Sequence, residues 1–371
     1  MPLSLLAVGD VAACRETPGG IFRGCREALK SGDLLFGQLE ATVTDRGAKA
    51  PNARLAMRSP PAMAAAAREA GFDVMSFAGN HGMDWGLEGF TDTLDHCARA
   101  GISLCGAGMT LAEARRPAII ERCGLRIAFL AYCSILPEGY QADRARPGVV
   151  PMRAHTVFEL VEPDQPGTRP RIFTYPHQGD LKAMQGDIRS ARQQADLVLV
   201  SQHWGLHMEE ATIADYQPVV ARAAIDAGAH AVLGHHPHIL KGVEFYAGAP
   251  IFYSLGNFAI DQPHFFDPNI TKTDSFKHLA SLHPDFRLDQ LYVLPEDTRM
   301  TGIVRLRCSA RGVEQTDFIP AWALDDSAPL VVSADDPRFE RVAAYLEKIS
   351  HKAGFTTHFE RAADALRLSA N

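Results

Sequence analysis

The chain has 371 residues, of which 46% are hydrophobic and 22% charged, and its formal net charge at pH 7 is −7. This composition suits one large α/β domain with insertions, and its negative charge gives no general attraction to a nucleic acid backbone. No stretch approaches the roughly 20 apolar residues of a membrane-spanning helix, and the N-terminus lacks the basic region of a signal peptide, so we expect a cytoplasmic protein without a membrane anchor.

Apolar runs typical of strands alternate with helical patterns along the chain. Strands are predicted at 3–8, 33–40, 73–79, 102–108 and 125–132, with helices at 59–71 and 87–101 between them. A second run follows, with a predicted helix at 180–195, a strand at 196–204, a helix at 216–228, a strand at 230–236 and a hairpin at 242–258. This alternation is typical of a layered α/β protein.

Two segments, 134–178 and 261–296, interrupt this alternation and are rich in proline and polar residues. Because long loops inside compact domains are often functional, we expect them to form lids or walls over a site. The aromatic residues of the second segment either line a substrate cleft or form a small separate core. We therefore predict a main domain at 1–325, with these two insertions, and a helical extension at 326–371.

Polar side chains that can bind metal follow several of the predicted strands. They are Asp10, Glu40, Asn80, His81, His203 and the histidines of "GHHPH", namely His235, His236 and His238. In open α/β sheets, ligands gather beyond the carboxyl ends of the strands. Carboxylates, an amide and imidazoles without thiolates suit Mn, Zn or Fe, and we predict a site for two such divalent ions.

Each of these residues also has a structural explanation when it is taken alone. These explanations are a turn or helix cap for Asp10, a solvated strand end for Glu40, a turn for Asn80, a hydrogen-bonded buried ring for His81 and an aromatic cluster for His203. Neighbouring imidazoles in "GHHPH" offer no packing advantage, so this cluster is harder to explain structurally. The shared position after apolar runs favours a single site.

Several segments, in this order and with compatible spacing, resemble the CapA-type family of poly-gamma-glutamate and capsule biosynthesis proteins. They include "VGD", "GQLEATVT", "FAGNHGMDWGLEGFTDTL", "VSQHWG", "DAGAHAVLGHHPHILKGVE" and "PIFYSLGNF". This family lies within the calcineurin-like metallophosphoesterase superfamily, and the resemblance covers residues 3–260. It implies a four-layer α/β/β/α sandwich with a dinuclear metal centre at the edge of the sheets.

The resemblance also implies roles for individual residues. Asp10 would bind the first ion, Glu40 would replace the bridging aspartate of the superfamily, and Asn80 with His203 would bind the second ion. His236 and His238 would be the paired histidines of the closing motif, with His235 as the alternative to His236. His81 would donate a proton to the leaving group, and Asp84 would orient it.

Two departures from the superfamily pattern bear on the chemistry. The superfamily opens with Asp-x-His, whereas this chain reads Asp10-Val11-Ala12, and Glu40 is longer than the usual aspartate. The CapA-type family shares both changes, which argues against ordinary phosphatase activity.

Other polar residues near these motifs are further candidates. His207 stands where many relatives have glutamate, and it is a ligand, a substrate contact or a loop histidine. Asn257 either orients a ligand or substrate or forms a turn. Arg54, Arg58 and Lys241 either meet an anionic group or are solvated.

We therefore expect a metal-dependent hydrolase that acts on a phosphoester or an amide or peptide through a metal-activated water. The substrate would be a small molecule or a peptide. One alternative is a peptide epimerase, which the same family contains and in which His81 or His207 would carry the Cα proton. Another is a non-catalytic component of polyglutamate or capsule polymer assembly.

Overall fold

The structure is a computed structural model that describes residues 2–283 and 285–371. Its strands are β1 (Leu3–Ala12), β2 (Leu34–Leu39), β3 (Thr42–Val43), β4 (Arg58–Ser59), β5 (Val74–Ser76), β6 (Ser103–Cys105), β7 (Ala107–Gly108), β8 (Ala118–Arg122), β9 (Leu125–Cys133), β10 (Gly148–Val149), β11 (Ala154–Glu159), β12 (Arg171–Pro176), β13 (Leu197–His203), β14 (Ala231–His235), β15 (Val243–Tyr246), β16 (Ala249–Phe252), β17 (Asn257–Ile260), β18 (Met300–Ser309), β19 (Gly312–Ala323), β20 (Pro329–Val331), β21 (His358–Ala362) and β22 (Ala365–Ser369). Its α-helices are α1 (Arg26–Leu29), α2 (Ala62–Ala70), α3 (Gly86–Ala100), α4 (Leu111–Ala114), α5 (Gln178–Arg192), α6 (Tyr216–Asp226), α7 (Pro263–Phe266), α8 (Asp274–Leu282) and α9 (Pro337–Lys352). Short 3₁₀ helices cover Pro18–Phe22, Ile270–Lys272 and Glu296–Arg299.

Two large mixed sheets organise the chain. The larger sheet has the order β21-β22-β19-β18-β1-β2-β5-β6, with β17 also paired to β1 and β20 to β19. The smaller sheet has the order β15-β16-β14-β13-β9-β8. In both, the central strands run parallel, β1 with β2 and β5 in the larger and β9 with β13 and β14 in the smaller. The predicted alternation of strands and helices, and with it the mixed α/β class, is confirmed.

A shared hydrophobic core lies between the two sheets. Phe36 of β2 stacks on Phe129 of β9, with ring centroids 5.3 Å apart, and Leu5 and Leu199 belong to the same cluster. Helix α9 packs on this core as well. The opposite face of the larger sheet is covered by α2 and α3, and that of the smaller sheet by α5 and α6. The carboxyl ends of the parallel strands are thereby held in fixed relation.

The predicted helical extension at 326–371 is wrong for most of its length. Only α9 is helical, while β21 and β22 form a hairpin whose β22 pairs with β19, with Phe318 opposite Leu366. Alternating burial explains this: Leu366 and Leu368 are buried, and Arg367 between them is half-exposed and bonded to Asp317. A period of two residues is the pattern of a strand.

The two insertions differ in structure. Segment 134–178 includes the antiparallel hairpin of β11 and β12. In segment 261–296, Phe276, Phe286 and Tyr292 belong to a small hydrophobic cluster that also includes Ala323, as the interpretation as a separate core predicts. Residues of this second segment also line a cavity of about 580 Å³ next to Met208. Nowhere in the described ranges is a helix long and apolar enough to cross a bilayer.

Candidate metal centre

The predicted polar residues meet where parallel strands of the two sheets end. Asp10 lies near the end of β1, next to Asn257 at the start of β17. In the smaller sheet, His203 ends β13 directly opposite His235, which ends β14. Glu40 follows β2 and donates its backbone N–H to Val11. Because the two sheets pack face to face, these strand ends form one polar cluster.

Close backbone approaches require glycine beside this cluster. A Cβ on Gly9 would lie 2.0 Å from the carbonyl oxygen of Gly256, and one on Gly234 would lie 2.2 Å from that of Tyr253. These distances are far below van der Waals contact, so any other residue would push β1 and β14 away from the chain that carries Asn257. The two glycines thus fix the spacing of the polar residues that follow them.

The backbone of the histidine motif adopts an uncommon conformation. His236 has φ of 93° and His238 has φ of 60°, both in the left-handed region that residues with a Cβ seldom occupy. Such strain persists only where the surroundings enforce it, and it concentrates at functional sites. The regular alternation of side chains along a strand is therefore interrupted at His236 and His238, where their rings enter the cluster.

Asp10 is held by the histidine motif. Its Oδ1 lies 3.1 Å from Nδ1 of His235, and its Oδ2 accepts a hydrogen bond from the backbone N–H of His236 at 3.1 Å. All three residues are buried. His235 thus orients the carboxylate of Asp10, which is a role typical of residues that support metal ligands.

Glu40 lies between two imidazoles. Its Oε1 is 3.8 Å from Nε2 of His203 and 3.7 Å from Nε2 of His238. The same Nε2 of His203 lies 2.5 Å from Oδ1 of Asn80, and Nδ1 of His238 lies 2.8 Å from Oδ1 of Asn257. Asn257 therefore orients the His238 ring so that its other nitrogen faces Glu40.

Three groups of side chains in the described residues could each hold a metal ion, with all ligand atoms of a group within 4.8 Å of one another. The groups are Asp10, Glu40 and His238; Glu40, His203 and His236; and His207, His236 and His238. Glu40 belongs to the first two, so it occupies the shared position. His236 and His238 contribute to these groups, and His235 does not.

Several buried polar atoms of the cluster have no hydrogen-bond partner among the described residues. They are both carboxylate oxygens of Glu40, Nδ1 of His203, Nε2 of His207, Nε2 of His235 and Nδ1 of His236. An unpaired buried polar group is costly, so such a concentration indicates a missing partner. Divalent cations accept carboxylate and neutral imidazole ligands, so the residues present fit a metal centre.

Burial sets the protonation of this cluster. It raises the pKa of Glu40 well above its ordinary value, an effect that the charges of Asp10 and Asp84 increase. Burial also lowers the pKa of His236 and His203 well below the ordinary histidine value, and neighbouring histidines add to the effect. Neutral imidazole is the form that binds metal.

His207 belongs to the cluster as well. Its ring centroid is 4.1 Å from that of His236 and 5.0 Å from that of His238, and the first pair is stacked. Burial, reinforced by the charges of other histidines, lowers its pKa to about 3. The ring is therefore neutral at physiological pH, which is the form that binds metal.

His81 and Asp84 form a separate hydrogen-bonded pair. Nδ1 of His81 lies 2.6 Å from Oδ2 of Asp84, which also accepts a hydrogen bond from the backbone N–H of Met57 at 2.8 Å. The hydroxyl of Tyr140 donates to Oδ1 of Asp84 at 2.9 Å. Tyr140 was not predicted, because it lies alone in a polar loop and only the folded chain brings it to Asp84.

The family profile described as "Bacterial capsule synthesis protein PGA_cap" matches residues 4–262. The chain belongs to this family. The matched range contains every residue of the cluster described above, and it ends just after β17. The predicted resemblance to CapA-type proteins is thereby confirmed.

Named relatives in this family come from several bacteria. The chain is 31% identical over 270 residues to the PGA biosynthesis protein CapA of Bacillus subtilis, covering 70% of this chain and 64% of the relative. It is 28% identical over 271 residues to the capsule biosynthesis protein CapA of Bacillus anthracis, covering 70% and 60%. It is 32% identical over 233 residues to a protein of Mycobacterium tuberculosis named "Probable polyglutamine synthesis accessory protein", covering 62% and 56%. The match thus spans less than two thirds of the length of each of these relatives.

In this PGA_cap chain, Tyr140→Phe tests whether the hydroxyl supports Asp84. Loss of one buried hydrogen bond to a carboxylate is expected to lower the free energy of unfolding by about 1.5 kcal/mol. The measurement is urea unfolding of Tyr140→Phe beside Tyr175→Phe, which changes a tyrosine that is 53% exposed. Equal stability of the two variants would contradict the assigned contact.

Of the three basic residues singled out in the sequence, Arg58 and Lys241 have structural partners, and Arg54 is exposed. The guanidinium of Arg58 lies 4.0 Å from the centre of the Trp85 ring. Lys241 is buried, and its ammonium group donates to the carbonyl oxygens of Glu209 and Thr212. Lys241 is therefore not a solvated loop residue, and it ties the segment after His207 to the strand region that follows the histidine motif.

Lys241 gives a pH-dependent prediction. Burial lowers its pKa to about 8, below the value in the unfolded chain, so the folded protein loses this proton first. Below about pH 8 Lys241 is charged in both states, and burial of this charge lowers the free energy of unfolding by its full amount. Between about pH 8 and the pKa of the unfolded chain this loss becomes smaller as pH rises, because only the unfolded chain still holds the proton. The stability of the wild type minus that of Lys241→Met should therefore rise by about 1 kcal/mol per pH unit above pH 8. Urea unfolding at pH 7.5 and 9.5 measures this difference, with Lys30→Met as an exposed control, and a difference that does not change with pH would contradict it.

Proposed function

We propose that this PGA_cap protein is a metal-dependent hydrolase that acts on a phosphoester or on an amide or peptide bond. One observation carries the proposal: Glu40 is buried between two groups of potential ligands, and neither of its carboxylate oxygens has a hydrogen-bond partner in the described chain. A purely structural glutamate at this depth would be paired, because an unpaired buried carboxylate strongly destabilises the fold.

The fold supports the same proposal. The two sheets share a core, and helices cover their outer faces. We propose that this arrangement is a metallophosphoesterase-like four-layer sandwich, in which the polar cluster lies at the carboxyl ends of the strands. That edge is where open α/β sheets bind their ligands.

The proposed ligands divide into two sets that share Glu40. Asp10, Glu40 and His238 would hold one divalent ion, and Glu40, His203 and His236 would hold the other, with Asn80 beside His203. When bound, two such ions lower the pKa of water and stabilise oxyanions. The supporting contacts from His235 to Asp10 and from Asn257 to His238 keep the ligand atoms directed inwards.

His81 would supply the proton to the leaving group. Its Nδ1 lies 2.6 Å from Oδ2 of Asp84, so Nε2 is the atom through which a proton would pass, and the carboxylate would stabilise the imidazolium form that acts as the acid. Tyr140 and the backbone of Met57 hold Asp84 in position. His81 also follows Asn80 directly in the chain, which keeps the acid beside the ligands.

A non-catalytic role in polymer assembly is the second candidate. The M. tuberculosis relative carries the word "accessory" in its name, and Ala12 is buried where the superfamily pattern has an imidazole. One ligand of a phosphatase-type centre is therefore replaced by a methyl group.

If this change removes hydrolysis but keeps the metals, His81 and His207 could instead exchange a Cα proton of a peptide.

The experiment that tests the proposal is a substrate screen on protein reconstituted with Mn, Fe or Zn. The substrates are p-nitrophenyl phosphate, bis(p-nitrophenyl) phosphate and γ-glutamyl peptides, with a separate readout of Cα deuterium exchange. Turnover by the wild type that is lost in Glu40→Gln supports the hydrolase. Deuterium exchange without hydrolysis supports the epimerase, and no metal-dependent reaction with any substrate supports the assembly role.

A further inference from the structure

Among the potential ligand groups found in the described residues, His207 is the member that the two proposed ion sets do not use. With His236 and His238 it forms a group whose ligand atoms all lie within 4.8 Å of one another. The other two groups each contain Glu40, whereas this one contains only imidazoles. His207, His236 and His238 are called the three-histidine group below.

The loop that carries His207 is fixed against the histidine motif. The backbone N–H of Met208 donates to the carbonyl oxygen of Pro237 at 3.0 Å, and Met208 adopts a left-handed conformation with φ of 50°. The ammonium group of Lys241 donates to two backbone carbonyl oxygens of the same loop. All of these contacts involve the backbone of the loop, and they place the ring of His207 on that of His236, with centroids 4.1 Å apart.

Ring nitrogens of the three-histidine group lack partners in the described part of the chain. Nε2 of His207 and Nδ1 of His236 are buried without a hydrogen bond. By contrast, Nδ1 of His230, which lies just before β14, accepts a hydrogen bond from the backbone N–H of Val198 at 3.0 Å. Because an unpaired buried nitrogen is costly, the group indicates a missing partner of its own.

The type of ligand atom determines which ion this group would select. Three imidazoles with an open fourth position form the ligand set of some catalytic zinc sites. Imidazole nitrogens suit Zn, Cu, Fe and Ni, whereas carboxylate oxygens suit Mn and Mg. The three-histidine group therefore favours Zn, and the two groups that contain Glu40 also accept Mn.

The three-histidine group competes with the two proposed ion sets for the same rings. His238 belongs to the set with Asp10 and Glu40, and His236 belongs to the set with Glu40 and His203. An ion that takes both of these histidines leaves each set with two of its three ligands. Binding of one ion and binding of two ions are therefore alternative states of the same cluster.

We propose that the first equivalent of Zn binds to the three-histidine group, and that a second equivalent moves the ions into the two sets that share Glu40. This inference rests on the metal centre of the proposed function, but it does not depend on which reaction that centre performs. It assigns to His207 the supply of an imidazole in a chain that has Ala12 where the superfamily pattern has one. Mn prefers the sets that contain carboxylates, so its binding should not require His207.

The test is a Zn titration of the metal-free full chain against a coloured chelator, together with X-ray absorption at the Zn edge. Below one equivalent, the wild type is expected to show three imidazoles around the ion, and at two equivalents it should show fewer per ion. His207→Gln should weaken binding of the first Zn at least tenfold and leave the affinity for Mn unchanged. His283→Gln, which changes a histidine beside Met208 that is in none of the ligand groups, should bind both metals like the wild type.

Two results would overturn this proposal and leave the two-ion centre intact. One is a folded His207→Gln variant that binds the first Zn as tightly as the wild type, or that loses Zn and Mn affinity equally. The other is a wild type with fewer than three imidazoles around Zn below one equivalent, which is a result that needs no variant to fold. A wild type that binds no Zn at all would contradict the metal centre itself, and this proposal with it.

Discussion

Glu40→Gln is expected to raise the stability of the metal-free protein and to remove its stabilisation by metal. The physical reason is that both oxygens of Glu40 are buried and unpaired in the described chain, close to the charges of Asp10 and Asp84. Removing the ionisable carboxyl should raise the free energy of unfolding by about 2 kcal/mol or more, because the unfolded chain then no longer gains from losing a proton that the folded chain keeps. Metal at about a thousand times its Kd should stabilise the wild type by about 4 kcal/mol and the variant by far less.

The pH dependence of this gain follows from the raised pKa of Glu40. In the metal-free folded protein the carboxyl holds its proton to higher pH than in the unfolded chain. Stability therefore falls as pH rises from the ordinary value towards the raised one, because the unfolded chain loses the proton first. The stability gain of Glu40→Gln should accordingly increase with pH over that interval.

Thermal and urea unfolding, with and without Mn or Zn, measure these effects. Glu244→Gln is the matched control, because Glu244 is also buried but is paired with Arg222 and with the hydroxyl of Tyr253. This control should lose stability and should keep the response to metal. If Glu40→Gln also lost stability in the metal-free protein, the buried carboxylate would have a structural partner and the metal interpretation would be contradicted.

His81→Gln is expected to lower turnover by about 10²- to 10⁴-fold, the usual contribution of a general acid. The hydrogen bond between Nδ1 of His81 and Asp84 leaves only Nε2 for proton transfer, and glutamine cannot carry that proton. Metal content should stay unchanged, because His81 is not in any of the ligand groups found in the described residues.

The measurement combines steady-state kinetics on the substrate found in the screen with metal analysis of the same sample. His96→Gln on α3, where His96 is half-buried and contacts Arg99, is the control and should retain full activity. A second control is a substrate with a better leaving group, which should partly restore the activity of His81→Gln because it needs less help from an acid. Unchanged turnover on the original substrate would remove His81 from the mechanism.

The main features of the site could be predicted because strand periodicity is a local signal. Apolar runs locate the ends of β1, β2, β13 and β14, and parallel strands in one sheet bring their ends to one edge. Asp10, Glu40, His203 and the histidine motif lie at or next to these ends, so their meeting could be expected. In the structure, the ring of His235 contacts Asp10 and belongs to none of the groups of potential ligands in the described residues, whereas His236 and His238 belong to two such groups each.

Other features depend on contacts that no local pattern encodes. Tyr140 reaches Asp84 from a loop 56 residues further along the chain. The left-handed backbone at His236 and His238 is enforced by the surrounding chain, so it could not be derived from residue types. The strands β21 and β22 fall within the segment predicted as a helical extension, and their place depends on pairing of β22 with β19, which is far from them in the chain.

Elemental analysis of the full chain purified without chelator, beside a folded His236→Ala/His238→Ala variant, shows whether the cluster holds two metal ions. The proposal predicts about two equivalents of Mn, Fe or Zn per chain in the wild type and a loss of both in the variant, since each of the two ligand sets includes one of these histidines. Absence of metal in the wild type after reconstitution, or an equal metal content in the variant, would contradict it.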